Sequence, residues 1–395
     1  MAGEAQNPIG GGPDFHLAGG VLTVDLSALV ANWRELARLS ARAEAAAVVK
    51  ADAYGIGIEH AVPALIEAGC RRFFVALPQE GMRVRAAAPE ATVYVLSGPL
   101  GPEAAAVLRE HGLVPVLNSV RDTAIWEAEG WLDGRQLPAA LHVDTGMNRL
   151  GMTPAEAARF AGDNALTGAV KIELILSHLA CADEPPHVLN ARQLEVFRQA
   201  RSLFPGVETS LAASSGVLLG GDFPCDLTRP GIGLYGGLGA SAPAGFSPRT
   251  VVTAQARVLQ VRKAARGEAV GYGAATTLAR DSELAIAGAG YADGLPRAGS
   301  GAGVPLRAAV PQGAAGFVRG QRVPVVGRIS MDLTIFDVTD LGADAVAPGE
   351  MIELFGPNIP IDEAARAAGT IPYELLTGLS RRFHRVYVRG EASHG

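Results

Sequence analysis

Three features of this chain have the residue types and setting for covalent chemistry: a strand-end lysine, two glycine-bearing turns, and an arginine at the mouth of one of them. Lys50 closes the apolar run AAAVVKA at residues 45–51. An ammonium group is expensive to bury, so a lysine held there tends to lose its proton. A neutral amine is what Schiff-base formation requires. On position alone a strand-end lysine also snorkels to solvent, but the neighbours here favour chemistry. Tyr54 lies four residues on, beside Gly55 and Gly57. Such a turn after a strand brings backbone amides close to an anion. Far downstream, TRPGIGLYGG at 228–237 forms another such turn, with Arg229 at its mouth. A lysine, an arginine and two glycine turns together suit a phosphorylated cofactor.

These residues need a scaffold that brings positions 50 and 229 together. Eight short apolar runs supply it, at residues 45–51, 72–77, 92–97, 113–118, 140–145, 172–178, 209–214 and 226–231. Amphipathic stretches such as IEHAVPALIEAG and HVLNARQLEVFRQARSLF separate most of them. Strands alternating with helices predict a parallel sheet covered by helices, and eight of them predict a TIM-like (β/α)8 barrel. Barrel active sites lie at the C-terminal ends of the strands, which is where Lys50 falls.

Residues 1–20 are rich in Gly and Pro and read as a loose N-terminal arm. LTVDLSALVANWRELARLS then reads as a strand running into a helix, with Asp25 or Ser27 as its cap. The barrel is expected over 21–243. Near residue 240 the texture changes, with GGLGASAPAGFSPRT as a hinge. From 244 to 395 the chain reads as a mainly β C-terminal domain, and helical signal returns only in IDEAARAAGTIPYELLTGLS. The expected fold class is α/β followed by β.

Composition narrows the function classes. The charged share is 19% and the formal charge −6, without a basic block, so nucleic acid and anionic membranes have no electrostatic footprint. No run of about 18 apolar residues appears, so no membrane span is expected. The N-terminus does not read as a signal peptide. Cys70, Cys181 and Cys225 show neither disulfide nor metal-ligand spacing. A cytoplasmic protein without a metal site is expected.

VVKADAYGIG resembles the pyridoxal-phosphate (PLP) lysine motif of bacterial alanine racemases. The resemblance continues, in the same order, through HVDTGMNRLG (142–151), LSHLACADE (176–184), TRPGIGLYGG (228–237), VGYGAATT (270–277), GYADGLPR (290–297) and VGRISMDLT (326–334). It implies an amino-acid racemase, an isomerase, that interconverts L- and D-alanine with PLP and two opposed bases. Lys50 would carry the cofactor and act as one base; Tyr272 would be the other. The family's tyrosine reaches into its partner's site, so a homodimer with shared active sites is implied. Tyr54, Ser214, Gly231, Ile232 and Tyr373 match the phosphate cradle. His178 matches the residue against the cofactor ring, and Arg229 the one facing the pyridine nitrogen. There a permanent donor discourages ring protonation and makes a weaker electron sink. Arg149 and the Met331 amide match the substrate-carboxylate site, and Tyr291 and Tyr373 the narrow entrance that keeps the substrate small. Asp293 and Arg297 match structural or entrance groups.

The chain departs from the family pattern in places. Many members have a lysine, modified to a carbamate, two residues before the DTGM aspartate; here His142 stands there. Arg149 must then be held by an anion or by His142 itself. Ala213 replaces an asparagine beside Ser214, and Ser330 and Leu333 flank Met331 and Asp332 unusually. Rival readings are a PLP decarboxylase, which needs an acidic partner at the ring nitrogen; a racemase of another small amino acid such as serine; and a PLP-binding regulatory barrel without a second domain. The resemblance leaves open whether D-alanine is supplied for peptidoglycan or catabolised.

Overall fold

The apolar runs become the strands that they predict. The computed structural model describes residues 12–162, 168–239 and 246–390. Seven parallel strands follow one another in sequence order: Ala47–Val48, Arg72–Val75, Thr92–Val95, Val114–Leu117, Leu137–His142, Val170–Leu176 and Glu208–Ser210. The eighth run closes the ring. Leu227–Thr228 pairs in parallel with Glu44–Ala45 on one side, and Arg229 bridges Ala213 on the other. The strands are rich in fully buried Val, Leu, Ala and Phe, as expected where both faces of a parallel sheet are covered.

Helices between the strands show the expected stripe. Ile58–Ala68 buries Ile58, Ala61, Val62 and Leu65, the i, i+3, i+4, i+7 face. Gly69, at φ +110°, ends it. Ser119 caps Val120–Asp133 by accepting from the Asp122 amide at 3.2 Å.

The chain divides into two compact units, and the boundaries differ from those expected. The barrel unit holds residues 29–234 and 238–248. Phe246 belongs to it because its ring packs at Gly233 beside Leu36, so the barrel runs past 243. Residues 240–245 of the expected hinge lie outside the described residues.

The second unit is β-rich. Its sheet runs Gln321–Pro324, Ala315–Val318, Met351–Phe355, Val252–Ala264, Gly20–Asp25, His384–Val388, with Ser282–Ala287 also paired to Val252–Ala264 and to Thr334–Asp337. Gly20–Asp25 therefore belongs to this unit and not to the barrel. It lies antiparallel to Val252–Ala264 and parallel to His384–Val388, and the barrel's ring of eight is complete without it. Asp25 caps the following helix, accepting from Ser27 and Ala28 at 2.8 and 2.9 Å.

The described part of the arm is also docked. Arg257 stands 4.6 Å over the Phe15 ring and donates to the Phe15 carbonyl at 2.8 Å. His384 Nδ1 lies 3.0 Å from the Pro13 carbonyl. Residues 1–11 of the expected loose arm, and 391–395 of the C-terminal domain, lie outside the described residues. The expected helical segment forms two short helices, Ile361–Ala367 and Pro372–Gly378.

Candidate active site

The segment after Lys50 is a left-handed helical turn. Ala51, Asp52, Ala53 and Tyr54 have φ of +53°, +57°, +52° and +53°, followed by Gly55 at +84° and Gly57 at +99°. For L-residues this region costs roughly 1–2 kcal/mol each, so four in succession need support. The Asp52 carboxylate accepts from Ile58 N–H at 3.1 Å and pairs with Arg83 at 2.6 Å. Glu80 accepts from Ala51 N–H at 2.6 Å. The turn aims Tyr54 at the second glycine segment: a Cβ on Gly231 would collide with the Tyr54 hydroxyl. Only glycine fits there.

Ser214 ties this corner together. Its Oγ accepts from Gly231 N–H at 2.9 Å and Gly233 N–H at 3.2 Å, which leaves its own hydroxyl proton to donate. Ser214 and Ile232 each begin a helical turn, so their N–H groups have no partner within those turns. Ser214, Ile232 and the Tyr54 ring are buried. Buried donors converging on a glycine corner make a cradle for an anion.

Arg229 is buried as well. Its guanidinium donates to the Ser210 hydroxyl and, at 2.5 Å, to the Ser177 carbonyl, and it lies 5.9 Å from the Phe74 ring centroid. Among the described residues no carboxylate pairs with it, so it is not part of a structural salt bridge. Burial pulls its pKa down to about 10, still charged at neutrality. This cation shapes its neighbours. Burial, Arg229, Arg149 and Lys50 hold His178 down at about 3. Burial, then Arg229, hold His142 at about 4, with Asp144 opposing. The Lys50 amine is also lowered, first by burial and then by Arg149 and Arg229, against Glu80.

His142 has one defined tautomer. Asn118 donates its amide to the Leu96 and Val116 carbonyls, both at 3.0 Å. Its Oδ1 must then accept, so His142 Nδ1, 2.8 Å away, carries the proton and Nε2 keeps its lone pair. Arg149 lies on the following loop. Asp144 fastens that loop by accepting from the amides of Gly146, Met147 and Asn148 at 2.8–2.9 Å. Gly151, at φ +111°, seats against the His142 ring. Arg149 is exposed, with no hydrogen bond or ion pair to another described residue.

The barrel unit thus brings together Lys50, Tyr54, His178, Ser214, Arg229, Gly231 and Ile232 at strand C-terminal ends. Tyr272, Tyr291, Met331 and Tyr373 belong to the β unit. Tyr272 starts a short turn between Gly271 and Gly273, with φ of +70° and +68°, and is 71% exposed. Tyr291 and Met331 are neighbours: Tyr291 N–H donates to the Ser330 carbonyl at 3.0 Å and Ala292 N–H to the Met331 carbonyl at 2.9 Å. Both side chains are exposed. Asp293 is buried, accepts from Gly290 N–H at 2.8 Å and pairs with Arg382 at 3.2 Å, a structural role. Tyr373 is partly buried on Pro372–Gly378.

Sequence reasoning missed Glu80 and Asn118. Asn118 directly follows a barrel strand, Val114–Leu117. Glu80 sits at the third position of a helix that opens with Pro78, a start signal legible in LPQE.

Family sequence models decide the affiliation: that of the alanine racemase N-terminal domain matches residues 24–239, and that of the C-terminal domain residues 251–387. The chain belongs to the alanine racemase family. It is 50% identical over 379 residues to an alanine racemase of Rhizobium meliloti, covering 96% of this chain and 99% of that one. It is 52% identical over 367 residues to an alanine racemase described as biosynthetic from Agrobacterium fabrum, covering 93% of each. The crystal structure of alanine racemase from Bartonella henselae with covalently bound pyridoxal phosphate superposes with a TM-score of 0.86 at 37% identity, over 94% of this chain and all of that one. Among the described residues, no helix is long and apolar enough to cross a membrane, and no cluster of three His, Cys, Asp or Glu side chains could hold a metal.

Proposed function

We infer that this chain is an alanine racemase that binds pyridoxal phosphate at Lys50. The observation that carries the reading is the strand-end cluster itself. A lysine amine depressed by burial and two arginines stands beside a buried, carboxylate-free arginine and a donor-lined cradle at Tyr54, Ser214, Gly231 and Ile232. The donor set fits the cofactor. The Gly231 corner admits no Cβ, and the Ser214 hydroxyl and the first N–H groups of the turns at Ser214 and Ile232 suit a phosphate. When bound, pyridoxal phosphate withdraws electrons from the amino acid and loosens its α-proton.

The chain's own residues do the rest. Lys50 takes and returns the proton at Cα on one face. Tyr272 does so on the opposite face, because one group fixed on one face restores the enantiomer it started from. Arg149 offers a fork of donors to the substrate carboxylate, with the Met331 amide beside it. Tyr291 and Tyr373 keep the pocket small. His178, neutral at physiological pH, would hold the ring without adding charge. Arg229 would serve as a donor to the ring nitrogen. A decarboxylase of similar architecture would need a carboxylate there, and Arg229 has none.

The active assembly is a homodimer in which a second copy supplies Tyr272, Tyr291 and Met331. Their exposure supports this: 71%, 43% and 53% of large side chains stand in solvent on a single chain. The three free cysteines fit a reducing cytoplasm. The two enantiomers are equal in free energy, so the neighbouring reactions decide whether D-alanine is supplied to peptidoglycan or removed.

Incubation with L-alanine in D2O tests the reading. Optical rotation should decay to zero while the α-proton exchanges; retained rotation with cofactor bound would refute it. L-serine in parallel should respond far more slowly.

A further inference from the structure

The left-handed turn after Lys50 begins with an amide that has no acceptor within its own turn. Glu80, partly buried at the third position of helix Pro78–Ala87, supplies one. One carboxylate oxygen accepts from Ala51 N–H at 2.6 Å. The other accepts from Ala76 N–H at 2.8 Å and Leu77 N–H at 3.2 Å, where strand Arg72–Val75 gives way to the helix. A helix start needs only the contact to its capping residue, Leu77. The reach to Ala51, beside Lys50, goes beyond that need.

We propose that Glu80 is a positioning residue for Lys50, tying the amide that follows it to the neighbouring strand end and keeping a negative charge within reach of its amine. The proposal rests on Lys50 being the cofactor-bearing amine. Three charged groups bear on that amine electrostatically. Arg149 and Arg229 disfavour its charged form, Glu80 favours it, and His178 is neutral. Burial acts in the same direction as the arginines and exceeds either one. Glu80 is therefore the one counterweight that keeps the amine from being depressed further. Arg83 braces the far half of the turn through Asp52, at 2.6 Å, and does not touch Ala51.

The composition allows a direct test. The chain has only three lysines, Lys50, Lys171 and Lys263. The last two are exposed, with 63% and 69% of their side chains in solvent, and serve as internal references. The full-length chain, freed of cofactor with hydroxylamine, is labelled with trace acetic anhydride across a pH series, and acetylation at each lysine is read by peptide mass spectrometry. E80Q should move the Lys50 midpoint downward and leave Lys171 and Lys263 in place. It should also speed hydrogen exchange across residues 49–54. E80D keeps the charge but is one methylene shorter, so the Lys50 midpoint should hold while exchange still quickens. In the loaded enzyme, kcat of E80Q should fall on the order of 100-fold through misplacement of Lys50, with KM for alanine little changed because Glu80 touches no substrate. An unchanged midpoint and unchanged exchange in E80Q overturn the proposal. If E80Q does not fold, wild-type exchange in E80D overturns it. Acetylation needs no turnover, so a chain that failed to racemise alanine would refute the proposed function and leave this test standing.

Discussion

The Lys50 turn and the Tyr272 turn solve opposite problems. Each sets one of the two proposed proton carriers beside backbone of positive φ. The Lys50 turn is built from L-residues and braced by side chains of its own unit: Glu80 on Ala51, Arg83 and Ile58 on Asp52, Gly231 beneath Tyr54. Its amine sits among Arg149, Arg229 and Glu80. The Tyr272 turn is framed by glycines at 271 and 273, sits on a short ribbon of Ala269–Val270 and Thr276–Thr277, and shows its ring to solvent. The first proposed base carries its environment with it. The second is presented bare, as the proposed shared site requires.

The largest effects should come from removing each base. K50A should abolish racemisation, by on the order of 10⁴-fold or more, since it removes both a proton carrier and the cofactor's attachment. Borohydride reduction should then leave no cofactor on the chain. Y272F should cost roughly 10²–10⁴-fold in racemisation, with a signature that K50A lacks. One enantiomer should still exchange its α-proton with D2O, with retention, because Lys50 remains on its face. Wild-type racemisation by Y272F would demolish the two-base reading. Mixing inactive K50A with inactive Y272F chains should restore activity at one site in some dimers; no recovery would argue against shared sites.

The barrel was legible because its strands are buried on both faces, which writes a near-continuous apolar run for each. All eight runs correspond to parallel segments. Gly20–Asp25 was misplaced because its partners, Val252–Ala264 and His384–Val388, lie at the other end of the chain, and alternation alone does not name a partner. The backbone of Ala51–Tyr54 was illegible for a different reason: none of those residues is a glycine, so nothing local announces φ near +55°. Glu80 and Asn118 act through atoms far off in sequence. Lys50, Gly231 and Arg229 could be argued from their turns. Tyr272 could not, because an aromatic residue that a single chain leaves exposed has no local pattern that distinguishes a base from a surface ring.

Acidification should strike the barrel side. His178 and His142 are held at about 3 and about 4 in the folded chain, against an ordinary 6.5. The unfolded chain therefore binds protons that the folded one refuses. Stability from these two groups is fully present above about pH 6.5 and is lost as pH falls, until the folded values are passed. Each should contribute a slope of about 1.4 kcal/mol per pH unit in that window. Urea unfolding between pH 7 and 5 reads it, and H142Q should flatten the slope by removing one titrating group. A slope that H142Q leaves untouched would mean that burial and Arg229 do not hold His142 neutral.

The smallest effects separate the two turns by how much each can yield. In G231A the new methyl meets the hydroxyl and ring carbon of Tyr54, a rigid group in a buried corner. Overpacking of this kind costs about 1–3 kcal/mol, and it pushes Tyr54 out of the cradle, so cofactor affinity should fall with stability. In G273A the methyl meets only the guanidinium end of Arg328, which can swing away. What remains is the strain of an alanine at φ +68°, roughly 1–2 kcal/mol. G273A should therefore lower the melting temperature slightly and leave cofactor affinity alone, while disturbing racemisation through the aim of Tyr272. Equal loss of cofactor affinity in both variants would mean that the Tyr272 turn, too, is part of the cradle, and the division of labour between the two turns would have to be redrawn.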